Sequence, residues 1–397
     1  MQEDFHYYAT YAAAIIAGYS HEDSLQISYA DQLTDCCTRT FLGEIDGPMS
    51  AATTQLQMEL MEARTDILGI QDITRIWASF HFLPYDLYAV KEGRSKAYMS
   101  KYRLICNTNS DLLVDTVNLA MGKGLGAAGL AMHILADTWA HRYFAGTPSL
   151  VINNTDYCFS EIIEQEDGSE KDIPIVFRHN PTSPDDIDRH LYTNSLYQSN
   201  EINIMNLGHG RAGHFPDYSF ARYRYLPAWG DYEEIIKDNP SDYYHAFCQV
   251  VYALKFLKGD MKAFEKDTYA FEECEPYREE IMSILKKRQL NANSDWKAFG
   301  EKLSGHEVED FNLDKYKNEY IKAEKDGRDR TYLGAYFLAA LAQKSMVTNK
   351  IYKSGNMLAG LSIDYDGKLF SRTGMKDFRL LIKAQAEGMI DEHTTES

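Results

Sequence analysis

The sequence predicts a mainly helical protein. Three observations carry that expectation: apolar residues recur at helical spacing along most of the chain, helix-start and helix-stop residues flank those stretches, and strand-like pieces are confined to one irregular interval. With 397 residues, 44% of them hydrophobic and 25% charged, the chain is globular in composition and can bury a sizeable core.

Tyr8 to Gly18 is Ala-rich and ends in glycine, and Ser20 then offers an N-cap ahead of His21, Glu22 and Asp23. Two helices follow from this, roughly Asp4 to Ala17 and His21 to Cys37. Ala51 to Leu68 is another helix candidate, and Tyr85 to Tyr102 and Asp111 to Met121 continue the helical trend. Gly122-Lys123-Gly124-Leu125-Gly126 invites a phosphate-loop reading. No Ser or Thr follows the lysine and no β-branched strand precedes it, so a helix junction is the better reading. The helix beyond, Ala127 to Tyr143, is apolar enough to be buried on most sides.

From Thr147 to Arg224 the texture changes to Asn, Pro, Gly, Asp and Tyr, with Val151-Ile152 and Ile173 to Phe177 the only strand-like pieces. Irregular insertions of this length are usually functional. Helical texture returns at Ser241 to Leu257 and continues to about Gln343, with Lys286-Lys287-Arg288 and Asp326 to Arg330 read as solvated charge clusters. The tail from Glu387 is polar and expected to fray. The expected organisation is a metal-binding helical core over 1–260, containing the insertion at about 147–224, and a C-terminal helical extension over 261–397.

A net charge of -18 repels polyanions, which disfavours long nucleic acid as a partner. Met1 to His6 lacks the basic and apolar regions of a secretory signal, and no apolar run reaches membrane-spanning length, so a soluble cytoplasmic protein is expected. The six cysteines show no CxxC spacing and read as reduced.

The residues that carry chemistry begin with His133, Asp137 and His141, at i, i+4 and i+8 of one apolar helix. Each step of four turns the helix by about 400°, so the three form a stripe on one face. The outer histidines lie about 12 Å apart along the axis, too far for one ion held at about 2.0–2.1 Å. Asp137 therefore reads as a carboxylate between two metals, with His133 on one side and His141 on the other. A buried carboxylate without a cation would be costly; the bland alternative is a polar core network of Asp137 with either histidine.

A second cluster is His209, His214 and Asp217, where glycines around His209 permit tight bends and Pro216 fixes the approach to Asp217. A glycine-rich turn with surface histidines is the competing reading. His81 lies among aromatics in Trp77 to Pro84, and alone would be a packed core histidine. His6 with Asp4 at the amino terminus, and Asp31 and Asp35 one helix later, complete the candidates.

In this order the residues resemble the zinc-dependent phospholipase C superfamily, which includes the single-strand-specific zinc nucleases, and most closely a bacterial branch of unassigned function. The resemblance covers roughly residues 1 to 260. It implies a helical fold with metals in a cleft, liganded by His6, Asp35, His81, His133, Asp137, His141, His209 and Asp217, with Asp4, Asp31 and His214 as further candidates. It implies two to three zinc or related divalent ions and hydrolysis of a small phosphoester, with Asp35 or Asp137 in catalytic roles. Arg211, Arg222 and Arg224 are candidates for holding phosphate, against a reading as surface salt bridges. The secreted members begin at a Trp whose amino group ligates metal, whereas this chain begins with Met1, so either Asp4 substitutes as a ligand or the third metal is absent. Between His209 and His214 the ligand stays open.

Two other classes compete. A non-catalytic protein could use the same metal site to organise the 147–224 segment, distinguished by closed rather than open coordination. An HD-type phosphohydrolase ranks last, because the chain contains no adjacent His-Asp pair.

Overall fold

The computed structural model describes residues 1–62, 67–155, 158–165, 167–180, 183–196 and 204–360. They form a mainly helical protein with one small sheet. A π-helical stretch, Asp4–Ala9, runs into α1 (Thr10–Ile16), followed by α2 (His21–Cys36), α3 (Arg39–Glu44), α4 (Gln57–Glu62), α5 (Ile67–Phe80), α6 (Lys96–Tyr102), α7 (Asp111–Ala120), α8 (Leu125–Ala140) and the single turn α9 (Leu150–Asn153). Strands β1 (Ser160–Glu164), β2 (Glu170–Pro174), β3 (Arg222–Tyr225) and β4 (Ile235–Asp238) come next. The chain closes with α10 (Asn239–Lys258), α11 (Phe271–Cys274), α12 (Arg278–Lys286), α13 (Asn293–Ser304), α14 (Lys317–Lys322) and α15 (Tyr332–Lys353). No helix among the described residues is long and apolar enough to cross a membrane.

Helix starts follow side-chain caps. Ser20, Ser110 and Asp238 accept from Asp23, Leu113 and Ser241 backbone N–H groups and begin α2, α7 and α10. The central element is α8, whose residues Gly126 to Ala140 are all buried and which packs against α2, α10, α15, α7 and α5. Small residues make this possible. At Gly129 an added Cβ would lie 2.1 Å from the Ile27 carbonyl oxygen and 2.9 Å from Asp31 N, so α2 and α8 meet backbone to backbone. The last carbonyls of α8 also have a partner: the buried Lys237 ammonium, from β4, sits 2.7 Å from the Trp139 oxygen and 2.5 Å from Asp242.

The sheet is antiparallel in the order β2-β1-β3-β4, with Ser160 opposite both Pro174 and Arg224. It carries its own aromatic core, including Phe159, Phe177, Tyr192, Phe215 and Tyr223, which reaches the helices through Phe82 and Phe144.

Several expected boundaries move. The Ala51 to Leu68 helix is not continuous: Met49–Ala51 is a 3-10 turn, 52–56 has no regular secondary structure, and α4 starts only at Gln57. The Thr53 N–H and hydroxyl bond to Cys37 and Thr34 carbonyls on the neighbouring helix, which holds that segment out of a helix of its own. Within Tyr85 to Tyr102 only the last third is helical, from the Ser95 cap onward, after Gly93 at φ 72°. Val151 and Ile152 sit in α9, capped by Ser149, rather than in a strand. Of the strands, β2 overlaps the expected piece, while β1, β3 and β4 were not anticipated; β1 buries Glu161, so its inward face carries a charge where the alternating pattern wants an apolar residue.

The expected division near residue 260 is not a packing boundary. Trp296, Phe299, Leu333, Tyr336 and Leu341 share one core with the amino-terminal helices, α13 packs on α1 and the π-helical stretch, and α15 lies along α8. Arg288, expected in solvent, pairs with the buried Glu161 and donates to the Ile187 carbonyl, tying the C-terminal half to the sheet. The tail from Glu387 lies outside the described residues.

Replacing Gly129 with Ala tests the contact at the centre. Overpacking against backbone is expected to cost about 1–3 kcal/mol in urea unfolding. Gly126→Ala, on the same helix but with its added Cβ 3.5 Å from Tyr336, should be neutral or stabilising.

Candidate metal centre

The close approach of α2 and α8 sets two i, i+4 pairs face to face: Asp31 and Asp35 on α2, His133 and Asp137 on α8. The π-helical stretch lays His6 between them, its ring stacked on His133 with centroids 4.0 Å apart. At the end of α5, Trp77 carbonyl accepts from both His81 and Phe82 N–H, and the reversal turns His81 inward. The loop 206–217 delivers His209 and Asp217 from the opposite side.

Asp137 is the centre. Its Oδ2 lies 3.1 Å from His81 Nδ1 and 3.2 Å from His133 Nε2; its Oδ1 lies 3.3 Å from His6 Nε2 and 2.8 Å from the Met1 amino nitrogen. Asp35 closes the first group, 3.7 Å from His81 Nδ1, 3.8 Å from His133 Nε2 and 3.9 Å from His6 Nε2. The second group is His141, His209 and Asp217: His141 Nε2 is 3.1 Å and His209 Nε2 3.5 Å from the Asp217 carboxylate. The Met1 amino group lies between the groups, also 3.4 Å from His141 Nε2 and 3.5 Å from Asp217 Oδ1. Asp137 thus stands between His133 and His141.

The imidazoles are oriented from behind. His81 Nε2 lies 3.1 Å from the Thr53 carbonyl oxygen, His141 Nδ1 2.7 Å from that of His81, and His209 Nδ1 2.6 Å from that of Gly213. His133 Nδ1 is 3.2 Å and His6 Nδ1 2.7 Å from Asp31 Oδ1. In each ring the other nitrogen turns to the carboxylates. This is the arrangement of metal-ligating histidines, whose second nitrogen is held by a carbonyl or carboxylate. Spacing agrees: bonds of about 2.0–2.1 Å at tetrahedral angles place ligand atoms about 3.3–3.4 Å apart. The site atoms lie 3.1–3.9 Å apart. His6 supplies an independent sign, since both ring nitrogens are buried without a hydrogen bond of full geometry among the described residues. The residues fit divalent cations.

Electrostatics point the same way. Burial alone would raise Asp137, but His141, the Met1 amino group and His133 hold it well below the usual carboxylate range. Asp217 is likewise held down against burial by His209 and the Met1 amino group. Against burial, Asp137 and Asp35 lift His133 to about 10, and Asp137, Asp217 and Asp35 lift the Met1 amino group to about 11. The pocket attracts positive charge.

Other candidates fall elsewhere. Asp4 accepts from the Ala292 and Phe5 backbone N–H groups, which anchors the amino-terminal turn; the Met1 amino group, not Asp4, reaches the cluster. His214 is 74% exposed and 3.8 Å from Asp217, so His209 is the histidine that joins the group. Arg222 pairs with Glu170 and Asp238, and Arg224 with Asp172 and Glu234, all on or beside the sheet. Arg211 is buried and donates to Asn206. These are salt-bridge and loop-holding roles. The Thr53 carbonyl and the Met1 amino group were not anticipated, and neither has a side-chain signal by which sequence could announce it.

In chelator-treated protein the pH dependence of stability follows from two rings. Burial lowers His209 to about 4, so its contribution is present above the unfolded value of about 6.5 and lost as pH falls toward 4. His133, raised to about 10, contributes fully below about 6.5 and loses that contribution as pH rises through 10. Thermal unfolding at pH 5, 7 and 10 should give the highest Tm near neutrality, and His209→Gln should flatten the acid limb alone.

No curated protein and no solved structure matches the chain. One family model does, over residues 1–351, and it spans the helices, the sheet and every residue of the two groups. The chain belongs to DUF6765, a family of unknown function.

Proposed function

We propose that this protein is a metal-dependent hydrolase of a small phosphoester, with two to three zinc or related divalent ions held by His6, Asp35, His81, His133, Asp137, His141, His209 and Asp217. The observation that carries this reading is the buried Asp137 among the His6, His81 and His133 ring nitrogens, next to the His141, His209 and Asp217 group, which together offer more donors than one closed structural ion requires. The likeness to the zinc-dependent phospholipase C superfamily supports it. Bound ions would supply an activated water and neutralise charge developing on phosphorus.

The chain's own groups divide the remaining work. Asp137, with 1% exposure and both oxygens facing positive or donor groups, holds cations together and is a poor proton acceptor. Asp35 keeps 30% of its side chain exposed at the rim of the same group, so it is the carboxylate that can take a proton from an attacking water. Phe82, stacked 4.6 Å from the His141 ring, and Trp77, 4.9 Å from His81, cover the imidazoles with apolar surface and limit water.

A second reading is a structural metal site. It draws on the 206–217 loop, which contributes both His209 and Asp217 and which metal would pin to α8.

Elemental analysis of zinc-reconstituted protein should find two to three ions per chain; none above background would sink both readings. Asp137→Asn should lose metal and lower Tm together, whereas Asp217→Asn should be milder. The loaded protein should hydrolyse a nitrophenyl phosphodiester or phosphomonoester, and chelation should abolish turnover. A phosphoester screen that stays silent, with cobalt spectra showing every position filled by protein, favours the structural reading.

A further inference from the structure

We propose that Asp31 is a positioning residue shared by two imidazoles on either side of Asp137, and that it couples the two cation positions they face. The inference rests on the metal-binding reading above. Asp31 was a candidate ligand, but its oxygens are already engaged. Oδ2 accepts from the Thr10 hydroxyl at 2.7 Å, while Oδ1 lies 2.7 Å from His6 Nδ1 and 3.2 Å from His133 Nδ1. The carboxylate is fully buried, and although it lies close enough to His6 and His133 to form a candidate ion group with them, it faces their Nδ1 atoms while both Nε2 atoms face Asp137.

Its acceptor role differs in kind from that behind the other rings. His81, His141 and His209 each lean on a neutral backbone carbonyl, whereas His6 and His133 lean on one anion. A carboxylate behind an imidazole fixes Nδ1 as the protonated nitrogen and makes Nε2 the more basic donor toward metal. Here both Nε2 atoms face Asp137, His6 toward Oδ1 and His133 toward Oδ2. The rings are also stacked, so a displacement of Asp31 moves them together. The His141, His209 and Asp217 group has no such link to Asp31.

The test compares Asp31→Asn and Thr10→Val with the wild type, titrated with zinc and with cobalt(II), alongside nitrogen-15 spectra of the histidine rings. In Asp31→Asn, affinity at the two positions flanking Asp137 should fall together by about 10–100-fold, while one ion remains on His141, His209 and Asp217 at wild-type affinity. In metal-free protein, Asp31→Asn should move the Nδ1 resonances of His6 and His133 and leave those of His81, His141 and His209 in place. Thr10→Val, which keeps the carboxylate, should shift the same two rings less, and it carries the test if Asp31→Asn does not fold. Unchanged cobalt affinity and spectrum in Asp31→Asn would overturn the proposal, as would a shift confined to one ring. A wild type that takes up no zinc sinks the hydrolase reading, but the metal-free spectra still decide whether Asp31 serves both rings.

Discussion

The architecture turns on one electrostatic constraint, a carboxylate almost wholly buried in the last turn of a buried helix. Asp137 sits among Ala, Leu, Ile and Trp neighbours on α8, where an unpartnered negative charge would cost several kcal/mol. What surrounds it is a shell of imidazoles and an amino group, drawn from the amino terminus, α5 and α8 itself. The amino-terminal stretch comes in on α2, and α2 and α5 themselves pack on α8. Gly129, eight residues upstream, removes the side chain that would keep α2 away; without that approach Asp31 and Asp35 could not reach His133.

The helical part of this plan was legible because helices announce themselves locally. Ser20 marks a start that the structure keeps, α7 begins at the expected Asp111, and the i, i+4, i+8 stripe on α8 was readable because an apolar helix leaves little else polar to explain. Legibility failed where backbone groups are claimed by distant segments. Within residues 52–56, Thr53 gives its N–H to the Cys37 carbonyl and its own carbonyl to His81. The sheet was missed for a related reason: Glu161 takes an inward position on β1 because Arg288, far along the chain, neutralises it.

The site divides along the same line. Ligand-type side chains are visible as residue types, and most of those named from sequence converge around Asp137 and Asp217, while Asp4 and His214 do not. The orienting partners were not visible, since a carbonyl at Thr53 or Gly213 belongs to any residue and depends only on the fold. Asp31 shows the intermediate case. As an Asp four residues before Asp35 it looked like a ligand, and only the Thr10 hydroxyl and the two Nδ1 atoms reveal which way its oxygens are used.

Charge arithmetic joins the two groups into one device. Asp31, Asp35, Asp137 and Asp217 bring four negative charges into a region where the metal-free protein answers with the Met1 amino group and a His133 whose affinity for protons is raised to about 10. Two divalent ions would balance the four carboxylates with every imidazole neutral, the state in which an imidazole can ligate metal. A third would leave an excess of positive charge. On the hydrolase reading, such an excess would give a chain of net charge -18 a local attraction for an anionic phosphoester. That attraction would fade within a Debye length of about 8 Å at physiological salt, and so would favour a compact substrate over a polyanion that must also lie along an acidic surface.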